Sequence, residues 1–473
     1  MKTEDQTQTL LEGPIPPVWS VPTPTREYRE HRKVSKLIRQ PAMPPVPIPI
    51  PIPLPLPGAR VLVWKQDPSV AEIGVRKAYL PGHVFTGPRD ARIINGTPGL
   101  SPVSPNAFGD LIQTPGTDAF DAVHTFAVVR QTLTMYQRAR AVGPTPAPLP
   151  WQWNSPTNTD PLSVFAHGLP DTMNAFYNRN EKALKFGDFI KPSSSPLQRI
   201  FTCRSLDIVS HETGHAVLDG LKPAWLGFGN PPQTGGLHES FGDLTAIFLA
   251  LSQTDQVEAV IAQTKANLHD KTFLSDMAEE FGLALGRPNG LRNADNDLKL
   301  SEVGTEVHAI SQVFTGAIYD ILADIFAFEH KPAVKDDAAV LYEVGQYVCS
   351  LVLRAMIAAP AAAATFADIA NQMLNITLAD GKPVQYRNFI RNRFTVREVI
   401  VSPTPLTADF TVGVKLAPAV QDAPGAVQDR RACCGTMNLP EHCGGEKALQ
   451  AEIEELKRSL QPSGEPQRKP QAA

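Results

Sequence analysis

Between Thr117 and Tyr136 apolar residues recur every three to four positions, as Phe120, Val123, Phe126, Ala127, Val129, Leu133 and Tyr136. Side chains at that spacing share one helix face, and Thr117 supplies an N-cap hydroxyl in front of it. The spacing predicts one long amphipathic helix. Around it, from about 60 to 170, the pattern shifts to short apolar runs such as Arg60-Val61-Leu62-Val63-Trp64, parted by Gly/Pro turns. Such runs predict strands. Beyond residue 218 the helical period dominates. Val307, Ile310, Phe314, Ile318, Ile321 and Ile325 mark one helix, and the stretches 337–358, 365–376 and 384–393 mark others. Residues 395–416 read as two strands or an extended segment. The pattern as a whole is α+β, β-rich first and helical later.

The two ends have a different texture. Residues 1–58 read as a disordered arm in which proline alternates with aliphatics from Pro47 to Pro57, a pattern that favours a stiff polyproline II rod. Such a rod is foremost a spacer; an SH3-like partner is the weaker expectation. Between the ends, boundaries fall at 59–218 and 219–400, and 401–473 reads as an extended segment with a flexible tail. Leu449, Ile453, Leu456 and Leu460 give too few repeats for a coiled coil. The tail holds Cys433, Cys434 and Cys443 beside His442, at a spacing that matches no recognised metal motif, so a loose or disulfide-linked tail is the stronger expectation and a second small zinc site the weaker one. Cys203 and Cys349 sit in apolar or mixed surroundings and read as buried thiols.

Composition narrows the function classes. The 473 residues are 42% hydrophobic, enough for two or three packed units. Net charge is −4, with no long basic patch, which argues against nucleic acid as a partner. No uninterrupted apolar run reaches the length of about 18 residues that signals a membrane span. The polar start Met1-Lys2-Thr3-Glu4-Asp5-Gln6 leads into no apolar signal core. The expectation is a cytoplasmic protein, or one exported by a non-standard route.

The chemistry concentrates at His211-Glu212-Thr213-Gly214-His215. Residues four apart lie on one helix face, so both imidazoles can ligate one Zn²⁺ while Glu212 stands beside it as general base. The flanks Asp207-Ile208-Val209 and Ala216-Val217-Leu218 are largely apolar, as suits a buried helix. Gly214 costs roughly 1 kcal/mol of helix stability relative to alanine, which predicts a close-packing role. Glu239 follows in Gly-Gly-Leu-His238-Glu239-Ser240-Phe241-Gly242-Asp243. Two histidines and a carboxylate leave one tetrahedral position for water, the arrangement of catalytic rather than structural zinc.

Four segments together resemble the thermolysin family of zinc endopeptidases and its fungalysin relatives. These are Asp207 to Val217, His238 to Asp243, Asn174-Ala175-Phe176-Tyr177-Asn178 with Gly187-Asp188, and Glu306-Val307-His308-Ala309-Ile310-Ser311. The resemblance spans roughly residues 60–395. It implies a two-lobed zincin, with a β-rich N-terminal lobe, a helical C-terminal lobe and the zinc helix between them. It implies one catalytic Zn²⁺ on His211, His215 and Glu239, with Glu212 as general base and His308 as donor to the oxyanion. Asp243 would orient a ligand histidine. Asn174 and the Ala175 backbone would pair with an extended peptide, and Arg292 would meet a substrate carbonyl. Ile208 and Leu291 match apolar pocket walls, which implies a hydrophobic residue just after the scissile bond. The substrates implied are proteins or peptides.

The chain also departs from that family. No tyrosine stands between His215 and Glu239 to give a second oxyanion donor, and Trp225 is no simple substitute. Asp207 matches a calcium ligand, yet Leu249, Ala250 and Leu251 fill the region of its acidic partners, so calcium is a weak expectation. His238 replaces an asparagine and would either compete for the metal or pack. Metzincins are excluded by Leu218 and Leu221 where their glycine and third histidine belong. An aminopeptidase would need a Gly-x-Met-x-Asn-like segment, which is missing; a non-catalytic zinc-containing binding protein is the remaining alternative.

Overall fold

Strands come early and helices late because the apolar period changes along the chain. The computed structural model describes residues 58–400 apart from 69–73, 97–99, 141–147, 193, 228 and 288–289. The proline rod and the cysteine tail fall outside the described residues. Strand β1 (Ala59–Trp64) buries Ala59, Val61 and Val63 and turns Arg60 outward, the alternation of a half-buried strand. It pairs antiparallel with β2 (Val75–Leu80). A second sheet takes β3 (Ile93–Asn95), β4 (Leu162–Leu169), β6 (Ala183–Ile190) and β5 (Ala175–Asn178) in that spatial order. The first three run parallel; β5 and then β7 (Arg199–Phe201) join β6 antiparallel.

The expected long helix is α1 (Asp118–Arg140), and Thr117 caps it: its Oγ1 accepts from the Phe120 N–H at 3.2 Å. Asp118 and Asp121 in the first turn and Arg138 and Arg140 in the last complement the helix dipole. The chain then enters α2 (Leu206–Leu221), started by Ser205, whose Oγ accepts from the Ile208 N–H. Next come α3 (Pro232–Leu251), α4 (Thr254–Thr264), the short α5 (Glu279–Ala284) between the two-residue strands β8 (Asp276–Met277) and β9 (Arg292–Asn293), and α6 (Val307–Glu329). Finally α7 (Asp337–Ala358), α8 (Phe366–Ala379) and α9 (Val384–Val396) complete a mixed α+β fold whose C-terminal half is mostly helical.

Helix α3 is apolar nearly all round and buried over almost its whole length, as expected of a helix with neighbours on every side. It lies between α2 and α6. One continuous apolar cluster runs from Ala59 to Ile400, and Cys203 and Cys349 are buried free thiols within it. Helices α6 and α7 would pass for membrane spans by length and composition. Yet 83% and 61% of their most apolar windows are buried inside the fold, the reading of core helices. One expectation fails: 395–416 does not begin as strand, because α9 continues through Val396. Tyr386, Ile390 and Phe394 recur at four-residue spacing and are all buried, so packing carries the helix past Phe394.

Residue His124 of α1 gives the fold a measurable acid sensitivity. It is fully buried, stacks on Phe120 and accepts from the Trp64 N–H at Nδ1, so it is neutral. Burial pushes its pKa from 6.5 down to about 4. An unfolded His124 takes up a proton below pH 6.5 while the folded one does not until about 4. Stability therefore falls as pH drops through that window, by about 3 kcal/mol for this residue. Denaturant melts at pH 7 and 4.5 should show a shallower acid loss for His124→Gln than for the parent, and equal slopes would refute the assignment.

Candidate metal centre

Three ligand-type atoms meet where α2 crosses α3. His211 and His215, one turn apart on α2, bring their Nε2 atoms to 2.9 Å from each other. Glu239 of α3 places Oε2 at 3.7 Å from the first and 3.6 Å from the second. All three residues are buried. Tetrahedral zinc, with ligand distances of about 2.0–2.2 Å, sets its donor atoms roughly 3.3–3.6 Å apart. The observed triangle matches that size within a few tenths of an ångström, and neutral imidazole with carboxylate is a zinc donor set. The residues fit the metal.

The convergence depends on two glycines. A Cβ on Gly214 of α2 would lie 3.2 Å from Gly242 Cα and 2.4 Å from Thr245 Oγ1, both on α3. The helices thus approach more closely than ordinary side chains allow, which is the packing role expected of Gly214. A Cβ on Gly242 would lie 2.7 Å from the His211 ring.

Around the triangle stands a ring of orienting groups. Asp243 Oδ1 lies 2.9 Å from His211 Nδ1, and Arg292 grips the same carboxylate through Nη2 at 2.7 Å and Nε at 3.1 Å. Burial alone would raise the Asp243 pKa, but Arg292 and His211 outweigh it and hold the carboxyl below its usual range. Arg292, placed by sequence as a contact for substrate, thus has Asp243 as its ion-pair partner. His308, at the second position of α6, brings Nε2 to 3.3 Å from Glu239 Oε2. Its Nδ1 lies 2.8 Å from Glu306 Oε1, and the other Glu306 oxygen caps α6 by accepting from the Ala309 N–H at 2.8 Å. Burial opposes a charge on His308, yet Glu239 and Glu306 raise its pKa well above the ordinary value. Burial would likewise raise Glu239, but His308 and then His215 hold it well down. Burial keeps His215 well below its ordinary value.

Glu212 is fully buried beside His211, and its charge reaches both His211 and Arg292. Hence His211, Glu212, His215, Glu239, Asp243, Arg292 and His308 gather at one place. Asn174 and Ala175 lie at the start of the β5 segment, which packs against α2. Both are buried, and the Ala175 N–H is taken by Asn174 Oδ1 at 2.9 Å. Ile208 and Leu291 are buried apolar residues. Trp225 donates to the Pro360 carbonyl at 3.1 Å, a structural tie.

Sequence reasoning missed two participants. Glu306 is one, although a carboxylate at an N-cap two residues before a histidine is a readable signal. The other is His238, for which the sequence offers competition for the metal or packing; its Nδ1 lies 2.7 Å from Nδ1 of His215, behind the ligand.

Elsewhere among the described residues, two further groups bring ligand-type atoms within 4.8 Å of one another: Asp121, His167 and Cys203, and His269, Asp295 and Asp320. Each already holds an arginine, Arg204 on Asp121 at 2.8 Å and Arg397 on Asp320 at 2.9 Å, which a cation would have to displace. For calcium, no such group includes Asp207. Leu249, Ala250 and Leu251 are buried, and burial followed by the Asp67 carboxylate pushes Asp207 above its usual range. Comparison with protein-family models and with curated proteins gives no match to this chain.

Proposed function

We propose that the chain is a zinc-dependent endopeptidase resembling the thermolysin family, with its β-rich and helical parts serving as the two lobes of a zincin. The observation that carries this is the buried triangle of His211, His215 and Glu239, with Glu212 buried on the same helix and its charge acting on His211, and His308 at 3.3 Å from Glu239. Bound zinc would supply Lewis acidity, lowering the pKa of a coordinated water towards ~7 and polarising the scissile carbonyl.

The chain's own groups then have separate tasks. Glu212 accepts a proton as water adds to the carbonyl carbon, and returns it to the amide nitrogen as the C–N bond breaks. His308 donates from Nε2 to the oxygen that gains negative charge, with its ring held by Glu306 at Nδ1; one such donor is worth roughly 3–4 kcal/mol. Asp243, fixed by Arg292, orients His211. Arg292 can meet a substrate carbonyl only while it shares its donors with Asp243. Strand addition of the peptide beside Asn174 and Ala175 requires Asn174 Oδ1 to release the Ala175 N–H. Ile208 and Leu291 support a preference for a hydrophobic residue after the scissile bond.

The deciding experiment is metal analysis of the full chain by mass spectrometry, paired with cleavage of a mixed peptide library. The expected result is one zinc per chain and internal cleavage before hydrophobic residues, abolished by a chelator and restored by added zinc. Cleavage indifferent to chelation would overturn the proposal. Zinc without cleavage of any substrate would favour the binding-protein alternative.

A further inference from the structure

The two ligand histidines present Nε2 to the centre of the triangle and leave Nδ1 at the back to be held. Behind His211 stands the Asp243 carboxylate. Behind His215 stands another imidazole, that of His238, with the two Nδ1 atoms 2.7 Å apart. The ring planes are inclined by only 20° and the centroids lie 4.9 Å apart. With the nitrogens that close, the rings meet edge to edge in nearly one plane, the geometry of an N–H···N hydrogen bond rather than a stacked pair.

At such a distance one nitrogen carries the proton and the other a lone pair. Ligation decides between them. A His215 that offers its Nε2 lone pair to a metal keeps its proton on Nδ1, so His238 is the acceptor and carries its own proton on Nε2. The Nδ1 of His238 is thereby spent on His215 and cannot be a fourth ligand.

We infer that His238 is a positioning residue that fixes the tautomer and ring orientation of His215 through its Nδ1 lone pair, so that metal affinity depends on a side chain outside the ligand set. The acceptor in this role is ordinarily a carboxylate, a backbone carbonyl or a water. An imidazole offers a single lone pair in the ring plane, which constrains the orientation of His215 as well as its tautomer. Both rings are buried, so bulk water is not at hand as a substitute acceptor.

This inference rests on the zinc reading, and its test separates the two. In the full chain labelled with ¹⁵N-histidine, scalar coupling across the hydrogen bond should link the Nδ1 atoms of His215 and His238 in the metal-free protein. Zinc titrations against a competing chelator should then show His238→Leu weakened by about 10- to 100-fold. His238→Asn, whose Oδ1 can accept the same N–H, should recover most of that loss. Parent-like zinc affinity in His238→Leu would overturn the positioning role and leave the zinc reading standing. A parent chain that binds no zinc would overturn both. If the leucine variant does not fold, the coupling decides: its absence from the parent refutes the inference.

Discussion

Glutamine in place of Glu212 should leave the zinc bound and remove the turnover. The substitution keeps the shape of a fully buried side chain, so packing along α2 is preserved. What it removes is the carboxylate that can accept a proton. General-base assistance contributes on the order of 10²–10⁴ in rate, and the expected fall in kcat lies in that range. Zinc content should remain at one per chain, because Glu212 is not among the three ligand atoms. Loss of a charge near Arg292 and His211 should move the melting temperature by only a few degrees. The informative pair of readouts is metal stoichiometry and turnover on the same preparation. Undiminished turnover would remove Glu212 from the chemistry and with it the hydrolytic mechanism.

The site could be read from sequence to the extent that its geometry is local. Positions 211 and 215 share a helix face by periodicity alone, and Thr117 and the 337–358 stretch announce their helices through a cap and an apolar stripe. Glu239 stands on another helix, and nothing in the spacing fixes how α3 crosses α2, so its convergence on the histidines is not legible from periodicity. The helix crossing is set by Gly214 and Gly242, and a glycine inside a helical pattern reads as a weak point until its neighbour is known. The contacts made by His238 and Arg292 were hidden for the same reason, since both lie across an interface whose register the sequence leaves open. Between residues 81 and 112 the turn-rich pattern yielded mostly isolated bridges, because those short runs pair at single positions such as Gly87 with Val103. Extended structure was expected too early near 395, where burial of Phe394 prolongs α9 instead.

That crossing yields the second large effect. Gly242→Ala should cost the protein its tight zinc site, although alanine is the better helix former. In an exposed helix the change would stabilise by about 1 kcal/mol. Here the new methyl group would stand 2.7 Å from the Nδ1 and Cε1 atoms of His211, closer than real Cβ contacts occur. His211 has little room to yield. Its Nδ1 side meets Asp243, its Nε2 side meets His215 and Glu239, and the residue is buried. Overpacking of a filled interior costs about 1–3 kcal/mol, so strain exceeds the gain in helix propensity. The relief with least backbone movement is rotation of the imidazole away from Glu239, which opens the triangle. Zinc affinity should therefore fall by at least the 10- to 100-fold typical of disturbing a ligand's support, with a lowered melting temperature in the metal-free protein. Gly242→Val should be worse on both counts. Chelator competition and calorimetry on Gly242→Ala decide the matter: unchanged affinity would mean that α2 and α3 can separate without disturbing the ligands, and that the glycine pair does not set the site.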